Sequence, residues 1–150
     1  MSRRIKVLLD TNVLIDMLSA TPRPSSQASD VIFQAIRSGK LEGEISTQSI
    51  IDASYILSRL PGFSQEQFTE RILRLFNYIN IDQISSFDAK SALLHPSGDF
   101  EDDAHYVFAV STGCDAVITN DVTFRTRERW KGYPELLFFT PQEFVDKLTA

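Results

Sequence analysis

Asp10 ends the apolar run in "VLLDTNVLID", and Asp121 follows a second such run in "AVITND". Between them, "GDFEDDAH" crowds Asp99, Glu101, Asp102 and Asp103 at the start of a helical pattern, and "QSIIDASYIL" sets Asp52 among apolar neighbours. Carboxylates gathered in one crevice repel one another, and their pKa values rise unless a cation neutralises them. A hard, oxygen-seeking divalent ion such as Mg²⁺ or Mn²⁺ suits this donor set. The chemistry of such a site is phosphoryl transfer, in which the ion activates water and stabilises charge on the phosphate and the leaving oxygen.

Other chemistries lack their residues. His95 and His105 are the two histidines, neither has zinc-site company, and both are expected at surface or packing positions. The single cysteine, Cys114, in an apolar context, is expected to be a small buried hydrophobe. No G-x-S-x-G elbow, Walker A sequence or G-x-G-x-x-G occurs.

The elements that must position these acids follow from apolar periodicity. "IKVLL" has strand length, and Val13, Leu14, Met17 and Leu18 have helical spacing, so Asp10 stands at a strand-to-helix junction. "TPRPSS" breaks that helix, and Ala28, Val31, Ile32, Ala35 and Ile36 predict a second one ending at Gly39. "EIST" reads as a weak strand, followed by a helix from Gln48 to Leu60 stopped by Pro61 and Gly62. Ser64 and Gln67 make a capping-box pattern ahead of the Phe68, Ile72, Leu75, Phe76, Ile79 stripe. "YINID" predicts a strand, Phe87 to Leu94 a helix, and "GDF" opens another with Ala104, Val107 and Phe108 on one face. "CDAVIT" and "ELLFF" are strands, and Thr140, Pro141 and Glu143 cap a closing helix. This alternation predicts one α/β domain over residues 1–150, with a mainly parallel sheet covered on both faces. In such sheets ligands bind beyond the carboxyl ends of the strands, where strand order reverses.

Each acid also has a structural use. Asp99 is a natural N-cap, and acids in a first turn suit the helix macrodipole. Of Asp102 and Asp103, at least one lies close to the sheet, and Asp52 is either paired or facing a polar cavity. The 150 residues carry a net charge of -5, which argues against a wholly basic, polyanion-binding surface. No run approaches the roughly 20 apolar residues of a membrane span, and no secretory leader is evident, so a soluble, cytoplasmic protein is expected.

"LLDTNVLID", "DFEDDAH" and "VITNDVTF" resemble the three signature regions of PIN domains, and "FFTPQEFVDKL" resembles their closing strand and helix. The resemblance spans almost the whole chain in the right order. It implies a three-layer α/β/α sandwich and an Mg²⁺- or Mn²⁺-dependent ribonuclease of the VapC type. The partners it implies are RNA, an antitoxin protein and a second copy of the chain. By the same resemblance Asp10, Asp102 and Asp121 are metal ligands, with Asn12 and Thr119 supporting them. Asp52 stands where the family usually has a glutamate, one methylene longer, and completes the catalytic set. Asp16 and Asp99 are second-tier residues, and Asp103 either shares the metal or hydrogen-bonds at the rim.

"FRTRERWKGY" carries Arg125, Arg127, Arg129 and Lys131 beside Trp130 and Tyr133. These cations and rings either meet RNA phosphates and bases or form a solvated segment with Trp130 on the core. Two rivals to the nuclease stand. One is a catalytically weak PIN-like binding module, supported by Asp52 in place of glutamate. The other is a phosphatase resembling the haloacid dehalogenases, which ordinarily want a second aspartate where this chain has Asn12.

Overall fold

A computed structural model describes residues 3–129 and 132–150. The first apolar run forms β1 (Lys6–Leu9), and Asp10 caps α1 (Thr11–Leu18). There follow α2 (Ser26–Arg37), β2 (Glu42–Ser46), α3 (Thr47–Leu57), α4 (Gln65–Leu75) and β3 (Asn80–Asp82). The second half runs α5 (Ser86–Leu94), α6 (Phe100–Ser111), β4 (Ala116–Ile118), α7 (Val122–Thr126), β5 (Leu137–Phe139) and α8 (Pro141–Thr149). Among the described residues the five strands are parallel, in the order β3-β2-β1-β4-β5. The chain therefore builds outward from β1 on one side, then returns to pair β4 with its other edge. The switch point lies between the carboxyl ends of β1 and β4, at Asp10 and Asp121.

Alternation along β1 divides the core. Val7 and Leu9 join Ile45, Ala116 and Ile118 beneath α1, α2, α3, α4 and α8, whereas Leu8 and Val117 face Phe108, Ala109 and Phe124 from α6 and α7. Helix α5 covers α6 through Ala92, Ala104 and Val107. The result is the expected three-layer α/β/α sandwich. Gly43 lets α2 sit close on β2, since a Cβ there would lie 2.7 Å from Ile36 Cδ1.

The expected helix to Leu60 stops at Leu57, and Leu60 N–H bonds Leu57 O in a tight turn (3.0 Å). Pro61 explains this, because it pushes the residue before it out of helical backbone angles. The closing capping box forms as expected, with Thr140 and Glu143 exchanging hydrogen bonds. A second box, Ser85 with Asp88, opens α5. Among the described residues no helix is long and apolar enough to cross a membrane.

A fully buried acid inside a strand has no counterpart in the sequence analysis. Glu44, in the middle of β2, is fully buried with Lys6 Nζ 3.3 Å away. Burial first, and then the nearby Asp82, push its carboxyl up to about 8, against the pull of Lys6. Unfolded, the group titrates near 4.5. The folded state therefore holds a proton that the unfolded chain releases, and this contribution is full below the lower value and lost as pH rises through the upper one. We expect the folding free energy to fall by a few kcal/mol (order of magnitude) from pH 4.5 to pH 8.5, and Glu44→Gln to remove most of that slope in urea titrations.

Candidate metal centre

Asp10 leaves the sheet in extended geometry and turns its carboxylate back on its own helix. Oδ1 accepts Thr11 N–H (2.8 Å), and Oδ2 accepts Thr119 Oγ1 (2.7 Å) and Asn12 Nδ2 (3.1 Å). Thr119 Oγ1 in turn accepts Asp121 N–H (3.0 Å), and Asn12 Oδ1 accepts Asn120 N–H (2.9 Å). Thr119 and Asn12 thus tie the end of β1 to the end of β4 and fix both acids relative to the sheet. Asp121 caps α7 by accepting Phe124 N–H on Oδ1 (3.2 Å).

The third wall comes from α6. Asp99 is its N-cap, accepting Asp102 N–H (3.1 Å). Asp102 faces inward, and its carboxyl is pushed up to about 6 by desolvation, then by Asp99, Asp121 and Asp10, with Arg127 pulling the other way. Helix α3 brings Asp52 to the same cleft, Oδ1 accepting Gln48 Nε2 (2.9 Å). Asp10, Asp52, Asp99, Glu101, Asp102 and Asp121 all line this cleft of about 470 Å³.

Glu101 is the acid that sequence reading left unassigned. Its carboxyl is raised by partial desolvation and by Asp52, Asp10 and Asp99, with His105 opposing. The "FEDD" run offered a signal, because a first-turn residue beside an inward-facing Asp102 overhangs the same crevice.

A buried tie aligns α3 with α6. His105 Nδ1 lies 3.0 Å from Glu101 O, a pure acceptor, so Nδ1 carries a proton, and Nε2 is within hydrogen-bond reach of the Ser46 and Ser49 hydroxyls (3.0 and 3.3 Å). Thr11 Oγ1 donates to Ser49 Oγ (2.8 Å), adding α1 to the network. The packing role expected for His105 is met, and it holds the helices that carry Asp52, Glu101 and Asp102.

Five expected residues are held by partners within the protein. Asp103 points under the loop before α6, accepting Ser97 N–H (2.8 Å) and Ser97 Oγ, with Arg129 Nε 3.9 Å away. Of its two expected roles it takes the hydrogen-bonding one, away from the cleft. Asp16 is buried against Arg23, Ser25, Ser29 and Asn120. The arginine segment turns inward: Arg125 pairs with Glu143 (3.5 Å), Arg127 with Asp102 (3.5 Å), and Arg129 bonds the carbonyls of Arg127 and Phe124 (3.0 and 3.2 Å). Trp130 and Lys131 lie outside the described residues.

The donor set fits a hard cation, being all carboxylate oxygen, with desolvation and then the charges of Asp99, Asp121 and Asp10 raising the carboxyl of Asp102. As the side chains stand, no group of three acids, histidines or cysteines among the described residues closes on one point.

The class the structure defines is a parallel α/β/α sandwich with acids gathered at its switch point. The PIN domain model matches residues 6–123, and the chain belongs to the PIN domain family. It is 23% identical to Ribonuclease VapC1 of Aquifex aeolicus (strain VF5) over 147 residues, covering 95% of this chain and 94% of that protein. Its fold is similar to Mycobacterium tuberculosis VapC20, a sarcin-ricin loop cleaving toxin, with a TM-score of 0.64 and 13% identity over 85% of this chain and 99% of that one. It is also similar to Rickettsia felis VapBC2 bound to a promoter DNA fragment, with a TM-score of 0.60 and 14% identity over 91% and 98% of the respective chains.

Proposed function

We propose that this chain is a divalent-metal-dependent ribonuclease and the toxin of a toxin–antitoxin pair. The observation that carries the reading is the convergence of Asp10, Asp52, Asp102 and Asp121 on one cleft at the switch point. Asp10, Asp102 and Asp121 would hold Mg²⁺ or Mn²⁺. Bound there, the ion supplies charge neutralisation at the scissile phosphate and a more acidic water. Asp52, oriented by Gln48 through Oδ1, leaves Oδ2 as a proton acceptor in the lining of the cleft. Thr119 and Asn12 keep the Asp10 carboxylate turned to the cleft. Asp52 lining the same cleft as Asp10 favours the nuclease over the weak binding module, whose support is the shortened side chain.

The antitoxin follows from the relatives, which include a toxin–antitoxin complex from Klebsiella pneumoniae with a TM-score of 0.56. A homodimer belongs to the same reading and is checked by light scattering.

Incubation of the protein with fluorescent single-stranded RNA in Mg²⁺, Mn²⁺ or EDTA tests the activity. Cleavage that continues in EDTA sinks it. Expression of the chain should halt growth, and a protein encoded by a neighbouring reading frame should restore it; unaffected growth counts against the toxin role.

The ion must displace the proton that Asp102 holds up to about 6. Metal affinity should therefore fall with pH, to about tenfold weaker at pH 5 than at pH 7 for a one-proton linkage. Calorimetric titration with Mn²⁺ at the two pH values checks this, and equal affinities would remove Asp102 from the ligand set.

A further inference from the structure

The acidic cleft has one wall that is neither acidic nor committed to the core. Tyr55 lies one turn beyond Asp52 on α3 and lines the same cleft, yet it is 62% exposed. Arg59, a further turn on, lies with Cζ 3.7 Å from the centre of the Tyr55 ring, held there by a bond from Nη1 to Tyr55 O (3.3 Å). No carboxylate among the described residues forms an ion pair with Arg59. The three arginines of the 125–129 segment, by contrast, are each drawn into bonds within the protein. Arg59 is thus a cation left available beside the α3 wall of an acid-lined cleft.

From this we infer that Tyr55 and Arg59 form the binding platform for a nucleotide of a single-stranded RNA next to the scissile phosphate, an inference that rests on the nuclease reading above. The ring offers a π-face to a base of any sequence, and the guanidinium offers charge to a neighbouring phosphate. The chain's acids repel RNA, so a local cation next to the cleft is where a strand gains its first favourable contact. A second tyrosine–arginine pair provides the contrast. Arg37 Cζ lies 5.5 Å from the Tyr78 ring, and Tyr78 stands just before β3, at the amino ends of the strands, away from every acid of the cleft.

The test measures anisotropy of fluorescent single-stranded RNA in EDTA for the wild type, Tyr55→Ala, Tyr55→Phe, Arg59→Gln and Tyr78→Ala, with a thermal melt of each. Tyr55→Ala should weaken binding about tenfold, the loss of one stacked base, while Tyr55→Phe restores it and Tyr78→Ala matches the wild type. Arg59→Gln should flatten the slope of log affinity against log salt by about 0.7, one phosphate contact fewer. In Mg²⁺, Tyr55→Ala should raise KM with little change in kcat.

The inference is overturned by wild-type protein that binds no RNA, or by Tyr55→Ala and Arg59→Gln binding within twofold of the wild type. It is equally overturned if Tyr55→Ala keeps its RNA but loses a co-expressed protein partner, which would assign the surface to protein docking. If Tyr55→Ala loses RNA while no variant or wild type cleaves it, the nuclease reading fails and the platform stands. If Asp10→Asn abolishes cleavage while Tyr55→Ala changes nothing, the platform fails and the nuclease stands.

Discussion

Asp10→Asn should lower RNA cleavage by at least about a hundredfold while the protein stays folded, an effect of the size seen when transition-state charge stabilisation is removed. The carboxylate accepts three hydrogen bonds, from Thr11 N, Asn12 Nδ2 and Thr119 Oγ1. Asparagine keeps one oxygen for Thr11, but its amide would face the Asn12 amide, and the Thr119 hydroxyl must rotate to accept. That local conflict costs about 1–2 kcal/mol, a tolerable loss for a folded domain. Removing the charge strikes the cation directly, so Mn²⁺ affinity should fall together with rate. Calorimetry, cleavage assay and thermal melt, run on one preparation, separate the two effects. A variant that melts normally, binds Mn²⁺ normally and still cleaves at the wild-type rate would falsify the role of Asp10.

How much of this site was legible beforehand depended on whether local or tertiary forces placed each residue. The junction at Asp10 is local: an apolar run of strand length, an N-capping acid and helical spacing from Val13 onward specify it within a few residues. The same holds for Asp99 at the start of α6 and for the Thr140 box. Which way a helical side chain faces is set by the layers around it. Asp102 and Asp103 are neighbours about 100° apart on one helix, and one enters the cleft while the other is clasped by Ser97. Glu44 shows the same limit in a strand, because alternation marks a buried position but not which residues meet it across the sheet. The inward turn of Arg125, Arg127 and Arg129 depends on acids from α6 and α8, distant in sequence.

Asp16 is the largest structural dependency that tertiary placement created. Its carboxylate is buried and accepts Arg23 Nε (2.9 Å), Ser29 Oγ (3.0 Å), Asn120 Nδ2 (3.2 Å) and the Ser25 hydroxyl. These donors come from the α1–α2 loop, α2 and the β4–α7 loop, so one carboxylate ties three segments together, alongside the Asn120 Nδ2 bond to Ser25 Oγ (3.0 Å). Asp16→Ala leaves Ser29 buried without this partner and leaves the Asn120 side chain only Ser25 Oγ of its two acceptors; Asn120, whose backbone N–H bonds Asn12, directly precedes Asp121. Breaking a buried charge network costs about 3–5 kcal/mol, and the partly exposed Arg23 brings the expectation here to about 3 kcal/mol in urea unfolding. Because Asn120 also sets the loop carrying Asp121, the folded fraction of the variant should bind Mn²⁺ more weakly, a second readout that lost stability alone does not move. Asp16→Asn retains one acceptor and should recover part of both losses. If Asp16→Ala unfolds within about 0.5 kcal/mol of the wild type, the surface-like value, the network is ornamental and Asp121 is positioned by Thr119 and Asn12 without it.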